Sequence, residues 1–260
     1  MNMSDGVTRR MRYLTIFAAC FLLGACISTT TGPPKSERDD KDAAAIYFQL
    51  GIQYFSRGNY QLSRERLLLS VNLDPSRAIV WSTLATTYEQ LGNLRLAEES
   101  HDKALRTGPR NFDVQNRYAL FLCSQRRFDD AEKQFERSIS ARINDFPELM
   151  MTNAGVCMSQ KPDYAKAESY FRRALERRSN HPEALLQMAL LKHQTADDLT
   201  ARAFLQRYRI ANPASPGVLY LCVLIEDVLG DQRASRECTT ELLRDFPGSE
   251  ESKRILSGAS

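Results

Sequence analysis

Small and apolar residues recur along this chain at helical spacing, nested inside a longer period. From Ala44 onward, Gly51, Tyr54, Gly58, Tyr60 and Pro75 form one copy of the pattern; Trp81, Leu84, Ala85, Tyr88, Gly92, Ala97, Ala104 and Pro109 form the next. A third copy carries Tyr118, Ala119, Phe128, Ala131 and Phe135, and a fourth carries Ala154, Gly155, Tyr164, Ala167, Phe171 and Ala174. The fifth places Met188, Ala189, Ala201, Leu205 and Pro213 in phase, and the sixth keeps Gly230-Asp231 and Pro247. The copies begin near residues 44, 78, 112, 148, 182 and 216, a step of 34 except for one of 36, where an extension of two residues falls around Asp145-Phe146-Pro147. Each copy predicts two helices, with a small residue where they touch and, in most copies, a proline where the second ends. One such hairpin cannot bury its apolar face alone, so the copies must stack to close a core.

The order and spacing resemble the 34-residue tetratricopeptide pattern. The expected fold is all-α: a right-handed superhelical solenoid of six tetratricopeptide (TPR) helical hairpins over residues 44–77, 78–111, 112–147, 148–181, 182–215 and 216–248. A C-terminal cap and tail follow at 249–260, with Ile255 and Leu256 of a short helix covering the last hairpin. Lys192 and Glu226 stand where the pattern places a buried aromatic, which predicts either a local shift of register or stems that snorkel past apolar surface.

Such arrays curve, and the first helix of each pair lines the concave face. In this repeat type the second, fifth, ninth, twelfth and thirteenth positions point into that groove, and most copies here fill them with polar residues. The first copy is the exception: Phe48, Ile52 and Phe55 make an apolar strip that the core does not obviously need. Either a tether or helix folds over the strip as a cap, or a hydrophobic peptide or helix lies on it. Glu89 and Gln90 of the second copy are its expected polar neighbours. Leu186, Leu190, Tyr220, Leu224 and Val228 form a second apolar group, part of which the C-terminal cap is expected to cover.

The N-terminus adds an address. Arg9, Arg10 and Arg12 precede an apolar run from Tyr13 to Leu23 that is too short to cross a bilayer and suits an export signal. It ends in Leu23-Gly24-Ala25-Cys26, similar to the lipobox of bacterial lipoproteins, so residues 1–25 are expected to be cleaved and Cys26 lipidated. The alternatives are plain cleavage after Ala25 or a lipid on Cys20. Several acyl chains on Cys26 would hold a membrane firmly, at about 0.8 kcal/mol per buried methylene. Ile27 stands where an inner-membrane lipoprotein commonly has aspartate, which points to the outer membrane. Residues 26–43 read as the lipidated cysteine and a flexible tether, with a reach of roughly 20 to 24 Å.

Composition and charge narrow the function class. A chain of 260 residues with 43% hydrophobic content is not compositionally disordered. Removing residues 1–25 takes three basic residues from 35 and one acidic residue from 32, leaving a net charge of +1 and no polybasic footprint for nucleic acid. The three histidines, His101, His181 and His193, have no metal-ligand spacing, and there is no phosphate loop or nucleophile elbow. His101 takes a core position, His181 a turn and His193 a solvated place in the groove. Neither catalysis nor a cofactor or metal is expected. Cys123, Cys157, Cys222 and Cys238 remain in a chain bound for an oxidising compartment. Cys123 is at the twelfth position of the third copy and Cys157 at the tenth of the fourth, both on first helices, which predicts a bridge across one seam. Pairing of Cys222 with Cys238 stays open.

Signal, lipobox, tether and six hairpins together resemble the type IV pilus biogenesis and stability lipoproteins of the PilF/PilW type over the whole chain. The phrases that carry the likeness are Ile46-Tyr47-Phe48-Gln49-Leu50-Gly51 with Arg57-Gly58-Asn59, Tyr118 to Phe135 with its Arg126-Arg127-Phe128 turn, and Asp145-Phe146-Pro147-Glu148. The resemblance implies a monomeric, non-catalytic pilotin, lipid-anchored to the outer membrane with its domain in the periplasm. Its partners would be the outer-membrane secretin and other pilus-assembly proteins. A second class stays open: a periplasmic scaffold for peptidoglycan hydrolases or for the machinery that inserts outer-membrane proteins.

Overall fold

The computed structural model describes residues 37–258. Among them the secondary structure is entirely helical: α1 (Glu37–Ser56), α2 (Tyr60–Leu73), α3 (Ala78–Gln90), α4 (Leu94–Thr107), α5 (Phe112–Ser124), α6 (Phe128–Ile139), α7 (Pro147–Gln160), α8 (Tyr164–Arg177), α9 (Pro182–Gln194), α10 (Asp198–Ala211), α11 (Pro216–Leu229), α12 (Gln232–Asp245) and α13 (Glu250–Ser257). The first twelve pair into six hairpins, and α13 packs on both helices of the last. No described helix is long and apolar enough to cross a membrane. Residues 1–36, with the cleavage site and Cys26, lie outside the described residues.

The first helix departs from the expected tether boundary. Residues 37–43 were expected to be flexible, yet α1 begins at Glu37 and is 20 residues long. The reason is local. Glu37, Asp39 and Asp40 fill its first turn, where free backbone N–H groups favour negative charge, and Ala43-Ala44-Ala45 propagates the helix.

The turn inside each hairpin follows one rule. The fifteenth residue of the copy is left-handed, with Gly58, Gly92 and Gly230 at φ of 73°, 72° and 74°. The sixteenth caps the second helix: the side chains of Asn59, Asn93, Asp163, Asp197 and Asp231 each accept a bond from the backbone N–H three residues on. The third copy keeps the left-handed residue without a glycine and loses the cap. Arg126 takes the left-handed conformation at φ 59°, and Arg127 makes no side-chain cap. Instead, Arg127 reaches Glu98 of the preceding hairpin and Asp130 of its own helix.

Within hairpins the two helices close on small residues. A Cβ at Gly155 would run into the ring of Phe171, which is fully buried. In the first and third hairpins a serine, Ser70 or Ser138, donates 2.7 Å bonds to the carbonyl oxygen of Ala44 or Phe112. The core runs from Phe48 through Phe121, Phe135 and Phe171 to Leu191, and continues from Ala189 to Cys238, with Phe204 packed against both parts.

Seams between hairpins carry ion pairs. Glu132 accepts from Lys166 Nζ at 2.8 Å and Glu136 from Arg173 at 2.7 Å. At the next two seams the pair sits deeper. Lys192 of the fifth hairpin donates to Glu168 of the fourth at 2.9 Å, and Glu226 of the sixth accepts from Arg202 of the fifth, with Nε at 3.0 Å. These are the same two positions of the repeat, 24 residues apart, with the charges exchanged. Lys192 and Glu226 therefore replace the expected aromatic without a shift of register: an opposite charge one repeat earlier meets each. Glu226 is 5% exposed, so its carboxylate depends on that partner.

Candidate protein-binding groove

The backbones of neighbouring first helices approach closely along the array from the second hairpin to the sixth, whereas second helices stand farther apart and meet through long side chains such as Lys166 with Glu132 and Arg173 with Glu136. The first-helix face is therefore the closed, concave side. Along it the ninth position of the six copies reads Ile52, Thr86, Leu120, Val156, Leu190 and Leu224. Ile52, Leu120 and Leu190 are 38%, 42% and 40% exposed, and the other three are half-buried. Five aliphatic side chains in six equivalent places make a ladder down the groove, rather than the local strip expected in the first copy.

The ladder is flanked by neutral polar groups. The thirteenth position holds Gln90, Ser124, Gln160 and Gln194 in successive copies, all exposed. Asn153 Nδ2 donates to Asn116 Oδ1 at 3.1 Å across the seam between the third and fourth hairpins. A cavity of about 330 Å³ opens there, with Leu120 and Val156 as its aliphatic wall and Ser124, Asn153 and Gln160 as its polar one. Its floor is Cys123 and Cys157, at disulfide distance with a Cα–Cα separation of 5.9 Å. Cys222 and Cys238, left open by the sequence, form a second pair within the sixth hairpin, 6.2 Å apart at Cα.

Phe48 is corrected: it is 6% exposed and belongs to the core, with the guanidinium of Arg77, the last residue of its own copy, 5.1 Å over its ring. The fifth position of a first helix lies close to the following repeat, and there Phe48 is packed. Ile52 stays open on the ladder, and Phe55 is half-buried with its ring edge-on to Tyr60 at 5.3 Å. Gln90 is exposed. Glu89 is half-buried and accepts a hydrogen bond from the fully buried His101 Nε2 at 2.9 Å, so it holds a core histidine against the rings of Tyr118 and Phe121. In the second apolar group Leu190 and Val228 remain exposed, while Tyr220 lies under Arg254 of α13 at 6.0 Å.

The other histidines differ from a solvated groove. His193 is not free: its Nδ1 lies 2.5 Å from Asp198, which is 6% exposed at the start of α10. His181 precedes α9, 9% exposed, with both ring nitrogens unpartnered, and burial pushes its pKa below the ordinary value. Burial also raises the Tyr118 phenol to about 12. No group of three or more metal-ligating side chains is placed for an ion among the described residues.

A family model described as tetratricopeptide repeat matches residues 82–146, and one described as coatomer epsilon subunit matches residues 119–218. The type IV pilus assembly protein PilF of Pseudomonas aeruginosa is 27% identical over 236 residues, covering 91% of this chain and 94% of its own. The crystal structure of PilW, titled a widely conserved type IV pilus biogenesis factor, superposes with a TM-score of 0.74 at 25% identity, over 82% of this chain and 98% of that one. The structure of Pseudomonas aeruginosa PilF gives 0.70 at 26% identity, over 84% and 99%. Over 82–91% of its length the chain is therefore similar to PilF and PilW, and it shares their fold as a tetratricopeptide-repeat protein.

Proposed function

We propose that this protein serves type IV pilus biogenesis as a pilotin, holding a segment of the outer-membrane secretin in its first-helix groove while Cys26 anchors it to the outer membrane. The observation that carries the reading is the aliphatic ladder Ile52, Leu120, Val156, Leu190 and Leu224, which repeats at one position and leaves Ile52, Leu120 and Leu190 exposed on the groove. Aliphatic contacts supply grip, and flanking amides can bond the backbone of a bound segment. The lipid would supply the address and the solenoid the hold, so that secretin subunits reach the membrane and assemble.

The test is capture from solubilised envelopes with the full lipidated chain, beside a Leu120→Asp/Leu190→Asp variant. Secretin should be recovered by the unchanged protein and lost with the variant. Both side chains are already about 40% exposed, so thermal unfolding should stay close to that of the unchanged protein. Recovery of mainly peptidoglycan hydrolases, with secretin multimers assembling normally in a deletion strain, would overturn the reading.

A further inference from the structure

The two cysteine pairs sit in unlike electrostatic surroundings. Beside Cys123–Cys157 the nearest polar contact is a neutral amide, Gln160 Oε1, 3.6 Å from Cys123 Sγ. Cys222–Cys238 lies under a cation instead: Arg209 Nη1 is 3.5 Å from Cys222 Sγ and 3.3 Å from Cys238 Sγ. Arg209 comes from α10, on the preceding hairpin, and its Nη2 donates to Glu241 at 2.7 Å, which holds the guanidinium over the sulfurs. A neutral disulfide gains little from that cation. A thiolate in the same place gains a charge-assisted bond, so the arrangement favours the reduced pair relative to the oxidised one. A cavity of about 230 Å³ lined by Arg202, Arg209, Glu226, Glu237 and Glu241 opens beside Cys222 and Cys238, and a cavity of about 330 Å³ opens beside Cys123 and Cys157, so the charge on Arg209 and not access distinguishes the two pairs.

We propose that Cys222–Cys238 is an exchangeable disulfide, the substrate of a dithiol reductant, while Cys123–Cys157 is the persistent one. A thiolate of the dithiol attacks one protein sulfur and forms a mixed disulfide. The S–S bond breaks, and its electron pair leaves on the other protein sulfur as a thiolate against Arg209. The second thiol of the reductant, deprotonated, attacks the mixed disulfide, releases the remaining protein sulfur and closes the reductant's own disulfide. Two electrons pass to the protein and the dithiol gives up two protons, one to the released thiol and one to solvent while the other sulfur stays ionised on Arg209. Reduction removes the covalent link between α11 and α12, the hairpin that carries Leu224 of the ladder.

The full chain is equilibrated in dithiothreitol buffers of graded reduced-to-oxidised ratio, trapped by alkylation, and each pair is read by peptide mass. Cys222–Cys238 is expected to be half-reduced at a ratio about tenfold or more below that for Cys123–Cys157. Arg209→Gln should raise the ratio for Cys222–Cys238 alone by about tenfold, and Arg209→Lys should restore most of the difference. Equal ratios in the unchanged protein, or earlier reduction of Cys123–Cys157, overturn the proposal whether or not the variants fold. So does an Arg209→Gln chain of unchanged circular dichroism in which Cys222–Cys238 titrates as before.

Discussion

Removing Glu226 should unsettle the seam between the last two hairpins more than any exposed ion pair could. The Glu226 side chain is 7% exposed and that of Arg202 26%, so Glu226→Ala leaves a largely buried guanidinium with only Asp231, 3.6 Å away. Stripping one partner from a fully buried pair costs about 3–5 kcal/mol. The residual exposure and the second carboxylate bring the expected loss here to about 2 kcal/mol, a fall in Tm of roughly 4–8 °C for an array of this size. Arg202→Glu should cost more, because it sets two carboxylates face to face. The double variant Arg202→Glu/Glu226→Lys recreates the Glu168–Lys192 arrangement of the preceding seam and should recover most of the loss. Thermal and urea unfolding followed by circular dichroism, with disulfides intact, completes the cycle. A coupling energy under about 0.5 kcal/mol would refute the pairing as the reason these positions carry charge.

Ala196 is left-handed at φ 59°, so Ala196→Gly should stabilise by about 0.5–1 kcal/mol in urea unfolding: relief of about 1–2 kcal/mol of strain, less the extra entropy glycine loses. Stability should fall as pH drops below about 6.5, where the unfolded chain protonates His181 before the folded chain does. The decline from this residue ends once folded His181 is protonated, and His181→Gln should flatten the slope of stability between neutral and acid pH. Cys123→Ser should lower stability by about 3–4 kcal/mol, the chain-entropy value for a separation of 34 residues, measured by urea unfolding without reductant.

The hairpins were legible because small residues must recur wherever two helices touch, so Gly51, Ala85, Ala119 and Gly155 announce the period directly. The groove was less so. Phe48 reads as part of an exposed strip only from the spacing of its own helix; the Arg77 that lies over its ring is 29 residues away, at the far end of the same copy. The ladder appears when the same position is compared through all six copies, a signal present in the sequence but diluted by polar residues at the other groove positions. Lys192 and Glu226 needed the partner 24 residues earlier, a distance set by stacking and not by any local rule. The start of α1 was missed because polar, acidic residues describe a helix N-terminus as well as a tether.

The bond between Cys123 and Cys157 ties together hairpins three and four, at the one junction where the sequence period lengthens. A solenoid otherwise comes apart by unstacking, each unit held only to its neighbours. Here the middle junction cannot separate while oxidised. Melting should therefore proceed inward from both termini, with the slowest amide exchange in α5 and α7. Under tension along its axis, the array would surrender its outer hairpins first and keep a two-hairpin remnant joined at its centre.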